Sequence, residues 1–155
     1  GVVAAVVVGG ADDASRPRLA SFSSVIVPDS EDAMTWRIGD HGFEMTLSAR
    51  VPDLLRGHLR GWLDPWLAKA GLSRAQIGGW AVHPGGPRII RTVEEVLELP
   101  ADSTDASRSI LAAHGNMSSP TILFILVELM RRGVPRPFVA LGFGPGLVAE
   151  GMLIQ

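Results

Sequence analysis

Two short segments carry the side-chain types that acyl-condensing chemistry needs. Residues 83–87 read His-Pro-Gly-Gly-Pro, and residues 115–119 read Gly-Asn-Met-Ser-Ser. Each segment stands at a turn that opens an apolar helix, so an imidazole and a carboxamide are presented at two backbone turns. An imidazole can hold a thiolate or donate to a carbonyl oxygen that becomes negative, and an asparagine NH2 group can donate to such an oxygen. His83 and Asn116 therefore match two members of a Cys-His-Asn condensing site.

The third member, a nucleophilic cysteine, is missing because the chain contains no cysteine. The sequence thus indicates a reaction class and also predicts that this chain alone does not complete the reaction. The same absence removes any disulfide framework or thiolate metal site. His41, His58 and His114 have no ligand-like spacing with acidic residues, so we expect no metal site.

Both polar residues also have ordinary structural explanations. A histidine in a turn is often a partly buried polar residue without a chemical role. Asn116 precedes an apolar helix and could be its N-cap, a position that asparagine favours. The two motifs together are more specific than either alone, and Gly115 and Ser118 around the asparagine leave room for a substrate.

Three further features could line a cavity near these residues. Met45 could point toward the same site, although packing in a core is the commoner role of a thioether. Trp36 could narrow a pocket or simply pack. Residues 142–147, Gly-Phe-Gly-Pro-Gly-Leu, are typical of a stiffened hairpin loop. The glycines of that loop either set turn dihedrals or let a ligand approach the backbone.

The elements that must position these residues alternate between strands and helices, which indicates an α/β fold. Strands are predicted over residues 1–8, 19–27, 36–38, 43–47, 77–82, 138–142 and 147–154, and helices start near residues 48, 87, 103 and 118. Residues 39–42 give the early hairpin a slightly long loop. The strand over 77–82 runs straight into His83, and the carboxyl ends of strands are where open α/β sheets usually place sites.

The helix over residues 118–130 is apolar nearly all round. A helix without a polar face must be buried on all sides, whereas a two-layer domain buries only one stripe of each helix. We therefore expect a further layer from a second domain or subunit to cover it.

Composition bounds the function classes. The chain has 155 residues, of which 46% are hydrophobic and 19% charged, enough for one globular domain over residues 1–155. A net charge of -2 gives no electrostatic reason to expect nucleic acid or an anionic membrane as a partner. The apolar run at residues 2–8 is too short for a membrane span and follows no basic segment, so a signal peptide is not expected and the cytoplasm is the default location.

With these motifs the chain resembles the C-terminal half of a type III polyketide synthase of the chalcone and stilbene synthase family. The resemblance is collinear over essentially the whole chain. It includes the opening strand, the Pro-Asp-Ser-Glu-Asp-Ala turn at residues 28–33 and the segment from Gly42 to Pro52. The segments at 83–87, 115–119 and 142–147 are the most specific part of it.

The resemblance implies a thiolase-like half, a mixed five-stranded sheet with helices packed on it, normally one half of a five-layer αβαβα fold. It also implies a homodimer that loads an acyl-CoA starter on a cysteine and extends it with malonyl-CoA by decarboxylative condensation. No cofactor and no metal are implied beyond these CoA thioester substrates. The expected partner is an N-terminal half that carries the cysteine.

By the same resemblance, nine residues acquire roles. His83 and Asn116 would be the catalytic pair that stabilises the thioester carbonyl and the enolate, and His83 would also keep the cysteine as a thiolate. Met45 stands where plant enzymes usually carry a gatekeeper phenylalanine. The other expected substrate-binding residues are Gly85 and Gly86 near the pantetheine arm, Ser118 in the starter pocket, and Phe143, Gly144 and Pro145 in the cyclisation cavity.

Two alternatives stay open at the level of sequence. Another thiolase-fold ketoacyl synthase also uses Cys-His-Asn chemistry, but the segments at 115–119 and 142–146 argue against it. A non-catalytic assembly domain predicts the absence of the nucleophile, but it does not predict that His83 and Asn116 are both kept in their motifs.

Overall fold

A mixed sheet of four strands forms the centre of residues 16–155, the part of the chain that the computed structural model describes. The strands are β1 (Leu19–Ile26), β2 (Met34–Gly39), β3 (Gly42–Leu47), β4 (Gly79–Val82), β5 (Phe138–Gly144) and β6 (Val148–Ile154). The helices are α1 (Val51–Lys69), α2 (Pro87–Leu97), α3 (Asp105–His114) and α4 (Pro120–Arg131), with a 3-10 turn at Arg74–Gln76. The predicted strand at residues 1–8, which would be the fifth, lies outside the described residues.

Strand direction brings three strand ends to one edge. The order is β1-β6-β5-β4, in which β4 and β5 are parallel and β6 is antiparallel to both β5 and β1. β1, β4 and β5 therefore run in the same direction, and their carboxyl ends lie together at one end of the sheet. We call this end the carboxyl edge; it is where β4 leads into His83.

Helices cover the two faces of the sheet. Successive strand residues face opposite sides, so in β4 Trp80 and Val82 pack with α1 and α2, whereas Ala81 packs with α3 and α4. All four β4 residues are buried, which is why this strand reads as an unbroken apolar run. The predicted α/β class is confirmed.

Two tryptophans dock α1 on the sheet. Trp62 and Trp66 stack with their ring centroids 6.0 Å apart. Their indole N–H groups donate to the hydroxyls of Ser23 and Ser21 on β1, each at 2.9 Å. Gly151 on β6 lies directly beneath the rings, since a Cβ there would stand 2.8 Å from Trp66 Cζ3. Glycine is therefore needed at this position for close approach rather than for its backbone freedom.

β2 and β3 form a separate hairpin. They are joined by only Asp40 and His41, so the predicted slightly long loop is wrong and the turn is a tight two-residue one. The polar pairs Thr35–Thr46 and Arg37–Glu44 share one face. The other face is apolar and largely exposed, and it consists of Met34, Trp36, Ile38, Phe43, Met45 and Leu47.

The hairpin is anchored at the carboxyl edge. The N–H of Gly146, in the turn between β5 and β6, donates to the carbonyl of Met34 at 3.0 Å. The N–H of Ser48 donates to the carbonyl of Ala33 at 2.8 Å. The base of the hairpin is thus tied to the turn that follows β5.

The predicted hairpin loop over residues 142–147 is shorter than expected. β5 continues through Gly144, and Gly142, Phe143 and Gly144 pair with residues 148–150 of β6. Only residues 145–147 form the turn. The ladder hydrogen bonds override the weak strand preference of the two glycines, a tertiary effect that composition does not reveal.

α4 begins later than predicted, and the described residues cover one side of it. Ser118 has a φ of 62°, which no helix accommodates, so the helix starts at Pro120. Ile125 and Leu129 are buried against the sheet, whereas Val127 and Met130 are exposed, as far as the described residues go. The expected further layer stays a prediction.

The packing beneath the tryptophans yields a stability prediction. We expect Gly151→Ala to lower the free energy of unfolding by about 1–3 kcal/mol, because the added methyl overpacks the stacked rings. Gly57→Ala is the matched control, because a Cβ there meets no described atom within 4 Å and lies inside α1. That variant should gain about 0.5–1 kcal/mol. Urea unfolding of both variants measures the difference, and equal stabilities would contradict the proposed packing.

Candidate active site

His83 extends the sheet one residue beyond β4. Its N–H donates to the carbonyl of Leu141 on β5 at 2.8 Å, so the backbone is still held in the ladder. Its carbonyl accepts the N–H of Gly85 at 3.1 Å, which closes the turn before α2. Pro87 starts that helix at a position where its missing N–H costs no hydrogen bond.

The surroundings of His83 favour the neutral form of its imidazole. The residue is half-buried, and burial lowers the pKa of the imidazole because the charged form loses solvation. Side chains two residues apart in a strand face the same side of the sheet, so His83 faces the side that Ala81 faces, which α3 and α4 cover.

Asn116 lies in the connection between α3 and α4, on that same side. Gly115 ends α3 with a φ of 70° and donates its N–H to Leu111 at 2.9 Å. The side-chain Oδ1 of Asn116 accepts the N–H of Ser118 at 2.8 Å. Because the oxygen is held by its own turn, the NH2 group is the end of the carboxamide that can donate to another molecule.

The capping role considered for Asn116 is not observed. Ser119 occupies the N-cap position of α4. Asn116 instead makes a local turn with the backbone two residues on, a conformation that asparagine supports well. Ser118, which is exposed, holds its left-handed backbone within that turn.

Two buried hydroxyls secure this region, and sequence reasoning did not single them out. Thr121 Oγ1 accepts the N–H of Met117 at 2.9 Å. Ser107 Oγ, on α3, accepts the N–H of Val82 at 3.0 Å. Both side chains are fully buried. The sequence could have identified Ser107 by its spacing, since it precedes the buried Ile110 by three residues and so shares the apolar face of the helix.

Several residues near His83 are glycines, which carry no side chain. The β4–β5 register pairs Val82 with Leu141, which puts Gly142 beside His83. A Cβ on Gly86, Gly142 or Gly144 would meet no described atom within 4 Å.

The motif glycines next to His83 do not use their conformational freedom. A Cβ on Gly85 would stand 3.7 Å from Ile89, an ordinary contact. Gly86 has an extended φ of 164°, and Gly85 is not in a left-handed conformation either. Neither glycine therefore needs a left-handed φ, and what these glycines contribute is the absence of a side chain.

The remaining predicted residues divide between core and surface. Phe143 packs into an apolar cluster with Leu55 and Leu147, and Pro145 is exposed in the turn. Met45 is 59% exposed and pairs across the hairpin with Trp36. The base of the hairpin, two residues from Met45, is anchored at the carboxyl edge, and the place of Met45 in a substrate pocket stays a prediction.

Other kinds of site find little support in the described residues. A cavity of about 980 Å³ opens at the other end of β4 and is lined by Leu72, Ile77 and Trp80, but by none of the predicted site residues. Within residues 16–155 no group of three or more histidine, aspartate or glutamate side chains could hold a metal ion. The helices in this range are also too short or too polar to cross a membrane.

Known proteins are similar to this chain in sequence and in fold. A 1,3,6,8-tetrahydroxynaphthalene synthase from Streptomyces peucetius subsp. caesius is 40% identical over 159 residues, which cover 98% of this chain and 42% of that protein. A crystal structure of PKS-I from the brown alga Ectocarpus siliculosus matches with a TM-score of 0.85 at 30% identity, covering 90% of this chain and 39% of that chain. The chain thus spans about two fifths of the length of these relatives.

The match to the family itself is extensive. Residues 18–155 fit the family described as chalcone and stilbene synthases, C-terminal domain. The resemblance deduced from the motifs at 83–87, 115–119 and 142–147 is confirmed, and so is the thiolase-like fold class. The chain belongs to the chalcone and stilbene synthase family of type III polyketide synthases and corresponds to its C-terminal domain.

Proposed function

We propose that this chain supplies the histidine and the asparagine of a polyketide synthase that extends an acyl-CoA starter with malonyl-CoA. Two observations support the proposal: His83 lies at the carboxyl edge, and Asn116 lies in the connection between α3 and α4, the helices that cover the side of the sheet that His83 faces. A cysteine from an N-terminal segment beyond these residues is the nucleophile, and the complete enzyme is a homodimer. The greater length of the relatives supports a further segment of this kind.

The reaction has two parts. First, the cysteine thiolate attacks the starter thioester, and the acyl group moves to sulfur while CoA leaves as a thiolate. Second, malonyl-CoA loses CO2, and the electron pair of the broken C–C bond becomes the enolate of acetyl-CoA. The enolate carbon then attacks the cysteine thioester, forms the new C–C bond and expels the cysteine thiolate.

His83 and Asn116 act on the oxygen that gains charge. The imidazole N–H and the carboxamide NH2 donate to the malonyl thioester carbonyl, whose oxygen becomes negative as CO2 departs. Two fixed donors stabilise that charge without the reorganisation that water would need. A neutral imidazole suits this step, because it is a much weaker acid than imidazolium and does not protonate the enolate.

The glycines near His83 are compatible with a long thioester substrate. Gly86, Gly142 and Gly144 leave the backbone open where a pantetheine arm and a growing chain would lie. The name of the Streptomyces relative specifies a tetrahydroxynaphthalene product. To this chain we extend only the class of reaction, repeated extension followed by cyclisation.

The first test is removal of the imidazole. In the enzyme that includes the cysteine-bearing segment, His83→Ala should lower malonyl-CoA decarboxylation and chain extension by at least about 100-fold, the loss typical of one oxyanion donor. Released CO2 and product mass measure the two activities. His58→Ala is the matched control, because His58 is exposed on α1 and its ring contacts the carbonyl of Leu54 in its own helix. Normal product formation by His83→Ala would reject the assignment.

A second prediction concerns the protonation of His83. Burial lowers its pKa in the folded chain, so the unfolded chain binds the proton more readily. The free energy of unfolding is therefore undiminished by His83 above the unfolded pKa of about 6.5. It declines as the pH falls from there through the folded pKa, because the unfolded chain takes up the proton first. Titration of the His83 ring by NMR should give a midpoint below that of the chain in urea. Equal midpoints, or the same pH-dependence of stability in His83→Gln, would contradict this.

The third prediction tests Met45. If its side chain borders the growing polyketide, Met45→Phe should shorten or alter the product, because the added bulk removes cavity volume. Thr46→Phe is the control, since it adds the same ring to the polar face of the same strand. Product profiles by mass spectrometry over several acyl-CoA starters provide the measurement. An unchanged profile for Met45→Phe would remove Met45 from the pocket.

A further inference from the structure

Ser107 joins the helix that leads to Asn116 to the strand that leads to His83. Its hydroxyl oxygen accepts the N–H of Val82 at 3.0 Å, one residue before the histidine. The side chain is fully buried, and α3 continues unbroken from there to His114, two residues before the asparagine. One hydrogen bond thus connects the strand that leads to His83 with the helix that leads to Asn116.

Val82 needs such a partner because of where its N–H points. Alternate amides of a strand face opposite sides, and the next amide, that of His83, donates to Leu141 on β5. The N–H of Val82 therefore points away from β5, and β5 is the only strand that pairs with β4 among the described residues. α3 supplies the missing acceptor, so the hydroxyl takes the place of a neighbouring strand.

A hydroxyl fixes the position of α3 in a way that its apolar neighbours cannot. Ala106 and Ile110 also bury themselves against the α4 side of the sheet, but apolar contacts are non-directional and tolerate sliding. A hydrogen bond weakens steeply once its angle or length departs from the preferred range. Sliding α3 along β4 would break the Ser107–Val82 bond and would carry Asn116 away from His83.

We propose that Ser107 is a positioning residue that sets the distance between the imidazole of His83 and the carboxamide of Asn116. The inference rests on the proposed function, in which both groups donate to one carbonyl oxygen. Two donors reach one oxygen only when each stands about 2.7–3.1 Å from it. That oxygen becomes negative only during the reaction, so misplacement lowers kcat rather than substrate affinity.

The first experiment uses the whole chain and no substrate. Ser107→Ala removes the acceptor, whereas Ser107→Thr keeps an oxygen at the same place. In Ser107→Ala we expect faster hydrogen exchange at the Val82 amide and shifted NMR signals of the His83 ring and the Asn116 NH2 group. Ser107→Thr should remain close to the wild type. Unchanged His83 and Asn116 signals in Ser107→Ala would overturn the proposal.

Two control variants separate positioning from general damage. Ser109→Ala makes the same change two residues on, at an exposed serine whose hydroxyl accepts from Arg132. Ile110→Val removes one buried methyl from the same helix without touching Val82. Both should leave the His83 and Asn116 signals as in the wild type.

The second experiment measures condensation in the enzyme completed with the cysteine-bearing segment. Ser107→Ala should lower kcat by roughly 10- to 100-fold with little change in KM for malonyl-CoA, the size of effect expected from a displacement of about 1 Å. Ser107→Thr should restore most of the rate. An unchanged kcat in Ser107→Ala, or an equal loss in Ile110→Val, would overturn the proposal.

The two experiments distinguish this inference from the proposed function. If the completed wild-type enzyme forms no product from any acyl-CoA starter, the proposed function fails. The NMR signals of Ser107→Ala then decide the positioning role on their own.

Discussion

The parallel pairing of β4 with β5 is the constraint on which the rest of the site depends. Parallel strands end at the same edge, so the residue after β4 lies beside the last residues of β5. This pairing puts His83 next to Gly142 and ties its backbone to Leu141. The turn after β5 then anchors the hairpin that carries Met45. His83, Gly142 and the base of the hairpin are far apart in the chain, and they lie together at the carboxyl edge because β4 and β5 run in the same direction.

The two catalytic candidates are held by different physical means. His83 is fixed mainly by its strand, and its charge state is set by burial, which favours the neutral imidazole. Asn116 lies in an exposed turn, where a left-handed glycine and a hydrogen bond to Ser118 determine which end of the carboxamide faces outward. Buried hydroxyls link these segments to the core. A directional bond in an apolar layer is well suited to this task, since the surrounding contacts are strong but unspecific.

Much of the fold follows from periodicity alone. The helix predicted to start near residue 48 is α1, and the strand predicted over residues 77–82 is β4. The errors occur where tertiary contacts outweigh local preference. Residues 142–144 are rich in glycine and read as a loop, yet pairing with β6 makes them strand. Asn116 had the residue type of a helix cap, but the left-handed Ser118 moved the start of α4 beyond its reach.

The sequence by itself determined the family, the α/β class, and the identity of His83 and Asn116 as candidates, because motif composition and hydrophobic spacing are local properties. Only the tertiary structure decided that His83 lies at the carboxyl edge and that the helices flanking Asn116 cover the side of the sheet that His83 faces, since that depends on strand order and direction. It alone revealed that Ser107 bonds to Val82 and that Gly142 borders His83. A serine among apolar helical residues has no visible partner in a sequence; its partner is set by how the helix packs on a strand more than twenty residues away.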